Sequence, residues 1–141
     1  IYIPDGVSLR FDYDPSIPDL YADADRLIQA ILNITSNALQ AVEQGGGVVI
    51  KTRTLRNFTI GQTFHKLLVC LQVIDDGAGV PSELQEKIFF PMVTTKTEGT
   101  GLGLSIAQSL VNEHGGLIEY ERNQAQSIFS IMLPIKSRDK Q

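Results

Sequence analysis

The chain contains one cysteine, no tryptophan and only two histidines, His65 and His114. A single cysteine excludes an internal disulfide. Cys70 lies inside the apolar run Leu67-Leu-Val-Cys-Leu71, where a thiol packs as a small hydrophobe. No set of His and Cys has metal-ligand spacing, and no nucleophile triad is visible. A basic run is also missing. The formal charge of -4 argues against a nucleic acid held through its phosphates. A small phosphate ligand stays compatible with that charge, because backbone amides and a metal ion supply a positive field. No apolar stretch approaches the roughly 20 residues needed to cross a bilayer, and no signal peptide opens the chain. The expectation is a reducing, cytoplasmic setting with no membrane segment. The common phosphate loop, Gly-x-x-x-x-Gly-Lys-Ser/Thr, is absent, as are internal repeats and low-complexity segments.

What remains is ordinary globular material: 141 residues, 43% hydrophobic and 20% charged, enough for one domain over 1–141 with a core. The opening alternates at Val7, Leu9 and Phe11 and breaks at Asp14-Pro15 and Ile17-Pro18, which reads as an edge strand. Asp23 or Asp25 can cap a helix reaching about Glu43, with apolar positions at Leu27, Ile31, Ile34, Ala38 and Val42; Gly45-Gly-Gly47 stops it. Val48–Leu55 and Lys66–Ile74 read as strands around a long hairpin loop, Asn57–His65. A short helix from Val80-Pro81 to about Phe89, a mobile loop from Pro91 to Gly99, a helix over Ser105–His114 and a hairpin of Leu117–Glu121 with Ser127–Ile135 follow, and a polar tail starts at Lys136. Hairpins dominate, which predicts a mixed, mostly antiparallel α/β sheet with helices packed on one face. At the end of the second helix His114 stands before two glycines, where a C-terminal cation is favoured; His65 is expected to be exposed.

Four segments carry candidate chemistry. The run Gly99-Thr-Gly-Leu-Gly103 opens into a helix, so free N–H donors and the positive end of the helix dipole meet at one point, which suits a phosphate and equally a plain tight turn. Asn33 and Asn37 share one helix face with Arg26, Ala30, Gln40 and Ala41, pointing away from the apolar stripe. That face is either a solvated surface or a source of carboxamide oxygen for a hard cation such as Mg²⁺. Asp75-Asp-Gly-Ala-Gly79 ends a strand that is expected to be buried. A carboxylate there needs donors, and an adenine amine is one; an Asp-Gly turn is the other reading. In the loop Phe89-Phe-Pro-Met-Val-Thr-Thr-Lys96, the aromatic start can anchor on the core, and Thr94, Thr95 and Lys96 bring hydroxyls and one cation close before the glycine turn.

In that order the four segments resemble the N, G1, F and G2 boxes of the catalytic, ATP-binding domain of two-component sensor histidine kinases, in the GHKL superfamily. The resemblance covers the chain from first strand to last. The run Asn37-Ala-Leu-Gln-Ala41, the Phe-Pro-Met-Val loop and the short lid look most like the nitrogen-regulation sensor kinases of proteobacteria. It implies the Bergerat two-layer sandwich, with ATP and Mg²⁺ as cofactors. It implies that Asn37 is the metal ligand, Asp75 the adenine contact, and Gly77 and Gly79 the shape of the base pocket. Gly99, Thr100, Gly101, Leu102 and Gly103 would hold the phosphates, with Thr95 and Lys96 approaching from the lid. Related ATPases carry a water-activating glutamate four residues before the metal asparagine. Here that place is Asn33, which has no useful basicity, so ATP is expected to be held for transfer rather than hydrolysed. Asn33, Asn37 and Lys96 are thus the catalytic candidates.

Two departures stand out. Many sensor kinases have a lysine and an aromatic residue where this chain has Gln40 and Ala41, and neither histidine lies in a dimerising helix hairpin. The phosphoacceptor is therefore expected on an upstream dimerisation domain outside this chain, so the chain alone is expected to be inactive in phosphotransfer. A response regulator and a nitrogen-status signalling protein are the further partners implied. A GHKL-type ATPase and a serine-kinase or nucleotide-sensing module are the competing readings.

Overall fold

A computed structural model describes residues 2–20, 22–90 and 103–135. The elements are β1 (Ser8–Asp12), α1 (Ala24–Ala41), β2 (Gly47–Ile60), β3 (Thr63–Asp75), a 3₁₀ turn (Ser82–Lys87), α2 (Gly103–Glu113), β4 (Leu117–Asn123) and β5 (Gln126–Pro134). They form one sheet in the order β1-β2-β3-β5-β4. β1 pairs parallel to β2, with α1 as the crossover a parallel pair requires, and the other pairings are antiparallel. This is the mixed sheet expected from the element order.

Both helices cover the same face. Val48, Ile50, Val69, Val73, Ile118, Phe129, Ile131 and Leu133 point into a core shared with Ile34, Ala38, Ala107 and Val111 of the helices. Alternation along each strand assigns this face, because successive side chains point to opposite sides. On the other face Leu68, Cys70 and Met132 form a smaller cluster joined by Leu55, Phe58 and Ile60. Leu55, Phe58 and Ile60 cannot share a face by strict alternation. The ladder keeps one register on both sides, Arg56↔Leu67 and Phe58↔His65, and Asn57 between them has a φ of 57°. Burial pushes the Cys70 thiol above its ordinary value, with the Glu119 carboxylate acting the same way, so it is a packed thiol rather than a nucleophile.

Three expectations are corrected. Asn57–His65 is not a long loop: β2 and β3 pair on to Ile60↔Thr63, leaving Gly61 and Gln62 as the turn, with Gly61 at φ 61°. His65 is accordingly a half-buried strand residue opposite Phe58. The Asn33/Asn37 face does not look away from the core either. Ala30 is fully buried, and α2 runs alongside. Arg26 pairs with Glu113 (Nε to Oε2, 2.9 Å), and Asn33 Nδ2 donates to the Gly103 carbonyl at 3.4 Å. The polar face is the seam between two helices, while Ile28 and Leu32 are left exposed. His114, finally, joins the ends of the two helices: the Asp23 N–H lies 3.2 Å from its Nε2, and its Nδ1 is 2.8 Å from the Leu110 carbonyl. Asp23 is also the N-cap of α1, accepting from the Arg26 N–H at 3.3 Å, so one residue joins the start of α1 to the end of α2.

Among the described residues the Thr35 hydroxyl, 2% exposed within α1, has no hydrogen-bond partner. A buried unpaired hydroxyl costs more than a methyl of the same shape. Thr35→Val is therefore expected to stabilise the domain by about 1 kcal/mol in urea unfolding; a loss of stability contradicts the packing described.

Candidate functional site

The strand ends carrying Asp75 organise the site. Val48, Asp75, Ser127 and Arg122 stand opposite one another across β2, β3, β5 and β4, so they form one row on the helix-facing side. Asp75 is 3% exposed, whereas its neighbour Asp76 is exposed. The two carboxylates do different work. Asp76 Oδ1 accepts from the Gly47 N–H at 3.0 Å and fastens the start of β2. Asp75 Oδ1 accepts from the Gly77 N–H at 2.9 Å, turning the chain sharply off the sheet.

Gly77 is held from three directions. Besides its N–H on Asp75, its carbonyl accepts from Arg122 Nη1 at 2.8 Å. A Cβ on it would lie 2.4 Å from the carbonyl oxygen of Ala41, at the end of α1. Glycine is required here by close approach to backbone. Gly79 has φ +80°, and a Cβ there would meet Arg122 Nη1 at 2.8 Å. The next residue, Val80, donates its N–H to Tyr120 Oη at 3.1 Å, and its carbonyl accepts from Gln85 Nε2 at 3.0 Å. Sequence reasoning missed Tyr120, Arg122 and Ser127. Tyr120 and Arg122 lie on β4 and Ser127 on β5; their hairpin was legible, but the placing of β5 beside β3 with β4 beyond it was not.

α1 aligns the remaining candidates. Asn33, Asn37 and Ala41 recur every fourth residue and so share one face. The first touches Gly103, where α2 begins, and the last backs Gly77. Asn37 stands midway along a run of about 12 Å at helical rise. Asn33 at Gly103 and Ala41 at Gly77 thus mark two ends of one side of α1, with Asn37 between them; this line from the end of β3 to the start of α2 is termed the trough. Ile88 is buried and Phe89 meets the ring of Phe129 edge-on at 6.2 Å, so the chain leading out of the 3₁₀ turn is anchored to the core as expected. Thr95, Lys96, Gly99, Thr100, Gly101 and Leu102 lie outside the described residues, as does the tail from Lys136.

This geometry can be set beside known proteins. The profile of the family described as "Histidine kinase-, DNA gyrase B-, and HSP90-like ATPase" matches residues 22–137. The chain belongs to this family. Its five-stranded sheet with both helices on one face is the Bergerat fold, and within the family it is an ATP-binding catalytic domain of the sensor histidine kinase type. It is 48% identical over 134 residues to the sensory histidine kinase/phosphatase NtrB of Proteus hauseri, covering 94% of this chain and 38% of that protein. The chain therefore spans about two fifths of the length of the curated relatives it matches. Among solved structures, the nucleotide-free catalytic domain of histidine kinase ThkA superposes with a TM-score of 0.77 at 33% identity, covering 92% of this chain and 80% of that one. ThkA in complex with the response regulator protein TrrA gives 0.73 at 29% identity, with 96% and 36% covered. Among the described residues, no helix is long and apolar enough to cross a membrane.

Gly77 supplies a direct check on the trough. Since the clash is with backbone, Gly77→Ala has no side chain to push aside, and overpacking is expected to cost about 1–3 kcal/mol in urea unfolding. A change below about 0.5 kcal/mol, typical of an indifferent surface site, contradicts the close approach of β3's end to α1.

Proposed function

We propose that this domain binds Mg-ATP in the trough and presents the γ-phosphoryl group to a histidine on a dimerisation domain of the same protein, within two-component signalling of the nitrogen-regulation kind. The observation that carries the reading is the buried Asp75 carboxylate, fixed at the end of β3 where Gly77 and Gly79 turn the chain off the sheet. Asp75 accepts the adenine amine, and Gly77 and Gly79 shape the base pocket. Gly103 and the preceding segment Gly99–Leu102 offer amides to the phosphates at the start of α2, and Thr95 and Lys96 approach from the lid.

The donor set fits a hard cation. Asn37 lies between the base end and Gly103 on the helix face that also carries Asn33, and its carboxamide oxygen suits Mg²⁺, which keeps several waters and takes few protein ligands. Mg²⁺ bound there neutralises charge on the phosphates. No carboxylate on that face of α1 can serve as a general base, because Asn33 stands where one would be needed and an amide does not take up a proton near neutral pH. The amide is instead tied to the Gly103 carbonyl, holding α2's first residue against α1. The chain thus retains ATP until an imidazole arrives with its own nucleophilic nitrogen, and its part in transfer is positioning and charge neutralisation. A response regulator and a nitrogen-status signalling protein complete the pathway. The regulator-bound structure of ThkA and the sensory kinase/phosphatase NtrB support this assignment by likeness.

Labelled ATP tests it, first with the chain alone and then with a dimerisation-domain fragment bearing the acceptor histidine. Expected are slow phosphate release alone and label on histidine with the fragment. Rapid release without partner points to a GHKL-type ATPase, and label on serine to a serine-kinase module; either contradicts the proposal. Asp75→Asn is expected to weaken ATP binding by about tenfold or more, the loss of a charge-assisted hydrogen bond. Asn37→Ala is expected to abolish Mg²⁺-dependent transfer while leaving base binding in place. Unchanged titration of the first variant, or equal transfer by the second, contradicts the role assigned to that residue.

A further inference from the structure

We propose that Arg122 is a positioning residue for the base end of the site: its guanidinium fixes the Gly77 carbonyl, and with it the turn from Asp75 to Gly79, in the shape that receives adenine. The inference rests on the nucleotide reading above and extends it to a strand two places away in the sheet.

Arg122 Nη1 makes two hydrogen bonds, to the Gly77 carbonyl at 2.8 Å and to Ser127 Oγ at 2.9 Å. Ser127 is 3% exposed and lies 3.1 Å from Tyr120 Oη, which in turn accepts the Val80 N–H. Three side chains of the β4–β5 hairpin therefore hold the loop at Gly77 and again at Val80. Asp75 holds the other side of Gly77 through its N–H, so the residue is clamped at both peptide groups. Arg122 also fills the space that a side chain on Gly79 would need. The guanidinium forms no salt bridge among the described residues. Its charge is directed at a backbone carbonyl and a hydroxyl, and a charged donor holds a carbonyl about twice as strongly as a neutral one.

A loop that ends in a carboxylate and two glycines is soft by composition, because glycine loses the most conformational freedom on ordering. Fixing it before the ligand arrives removes that cost from binding. Since the clamp acts on the base end, its loss weakens recognition of the base and leaves the phosphate end at Gly103 untouched. A residue that merely stabilised the fold would not separate the two.

The test uses the 141-residue chain and its Arg122→Met and Arg122→Lys variants, titrated calorimetrically with ADP, GDP and tripolyphosphate in Mg²⁺ buffer. Arg122→Met is expected to weaken ADP binding by about tenfold and to narrow the preference for ADP over GDP, with tripolyphosphate binding within about twofold of wild type. Arg122→Lys, which keeps a cationic donor, is expected to recover part of the ADP affinity. Wild-type ADP affinity in Arg122→Met, or an equal loss for ADP and tripolyphosphate, overturns the assignment. If Arg122→Met melts below the assay temperature, Arg122→Lys decides: a smaller loss confined to the base supports the clamp, and an equal loss for both ligands overturns it. Failure of the wild-type chain to bind any of the three overturns the nucleotide reading itself, which separates that outcome from a failure of Arg122 alone.

Discussion

A carboxylate buried at the end of an inner strand sets the terms for everything around it. Asp75 is 3% exposed, and burial of an ion without donors costs several kcal/mol. The fold answers by bringing the Gly77 amide back onto it, which forces a tight turn, and the turn needs glycine because α1 ends directly behind it. Gly77, bonded to Asp75 on one side and backed by the Ala41 carbonyl on the other, has no room for a side chain.

The sheet order supplies the second half of the constraint. β1 and β2 are parallel and require a crossover, so α1 must run the length of the sheet on one face. Its C-terminal end then meets the turn after β3, and its middle meets the start of α2. One rigid helix thereby sets the distance between the turn at Gly77 and the start of α2. At the far ends of the two helices, Arg26 with Glu113 and Asp23 with His114 close the seam. The Arg26–Glu113 pair is half exposed and contributes little energy; it links the first turn of α1 to the last residue of α2.

The local features of this site were legible in the chain. Asp75 followed by two spaced glycines, and asparagines four residues apart, are patterns whose geometry depends on neighbours in sequence, and the structure sets Asn33 against Gly103 and Gly77 against Ala41 on the same helix. The expected sheet, with its helices on one face, also follows from local periodicity. What failed was non-local. The face of Asn33 and Asn37 looked solvated because nothing in its own helix announces that α2 will lie against it. Ala30 carried the only hint, a small residue at a close contact. The β2–β3 hairpin was cut short because Arg, Asn and Thr read as loop, although strand pairing continues through them to Ile60. Arg122 was invisible as a site residue. Its relation to Gly77 depends on β5 inserting between β3 and β4, which no spacing along the chain records.

The most direct test is an amide NMR titration of the isolated domain with Mg-ADP, read residue by residue. The account predicts the largest shifts at Asn37, Gly77, Gly79 and Gly103, with the opposite face of the sheet at Cys70, Gln72 and Met132 nearly unmoved. Shifts concentrated on that opposite face, or movement at Gly103 with none at Gly77, would contradict a single nucleotide trough built on Asp75.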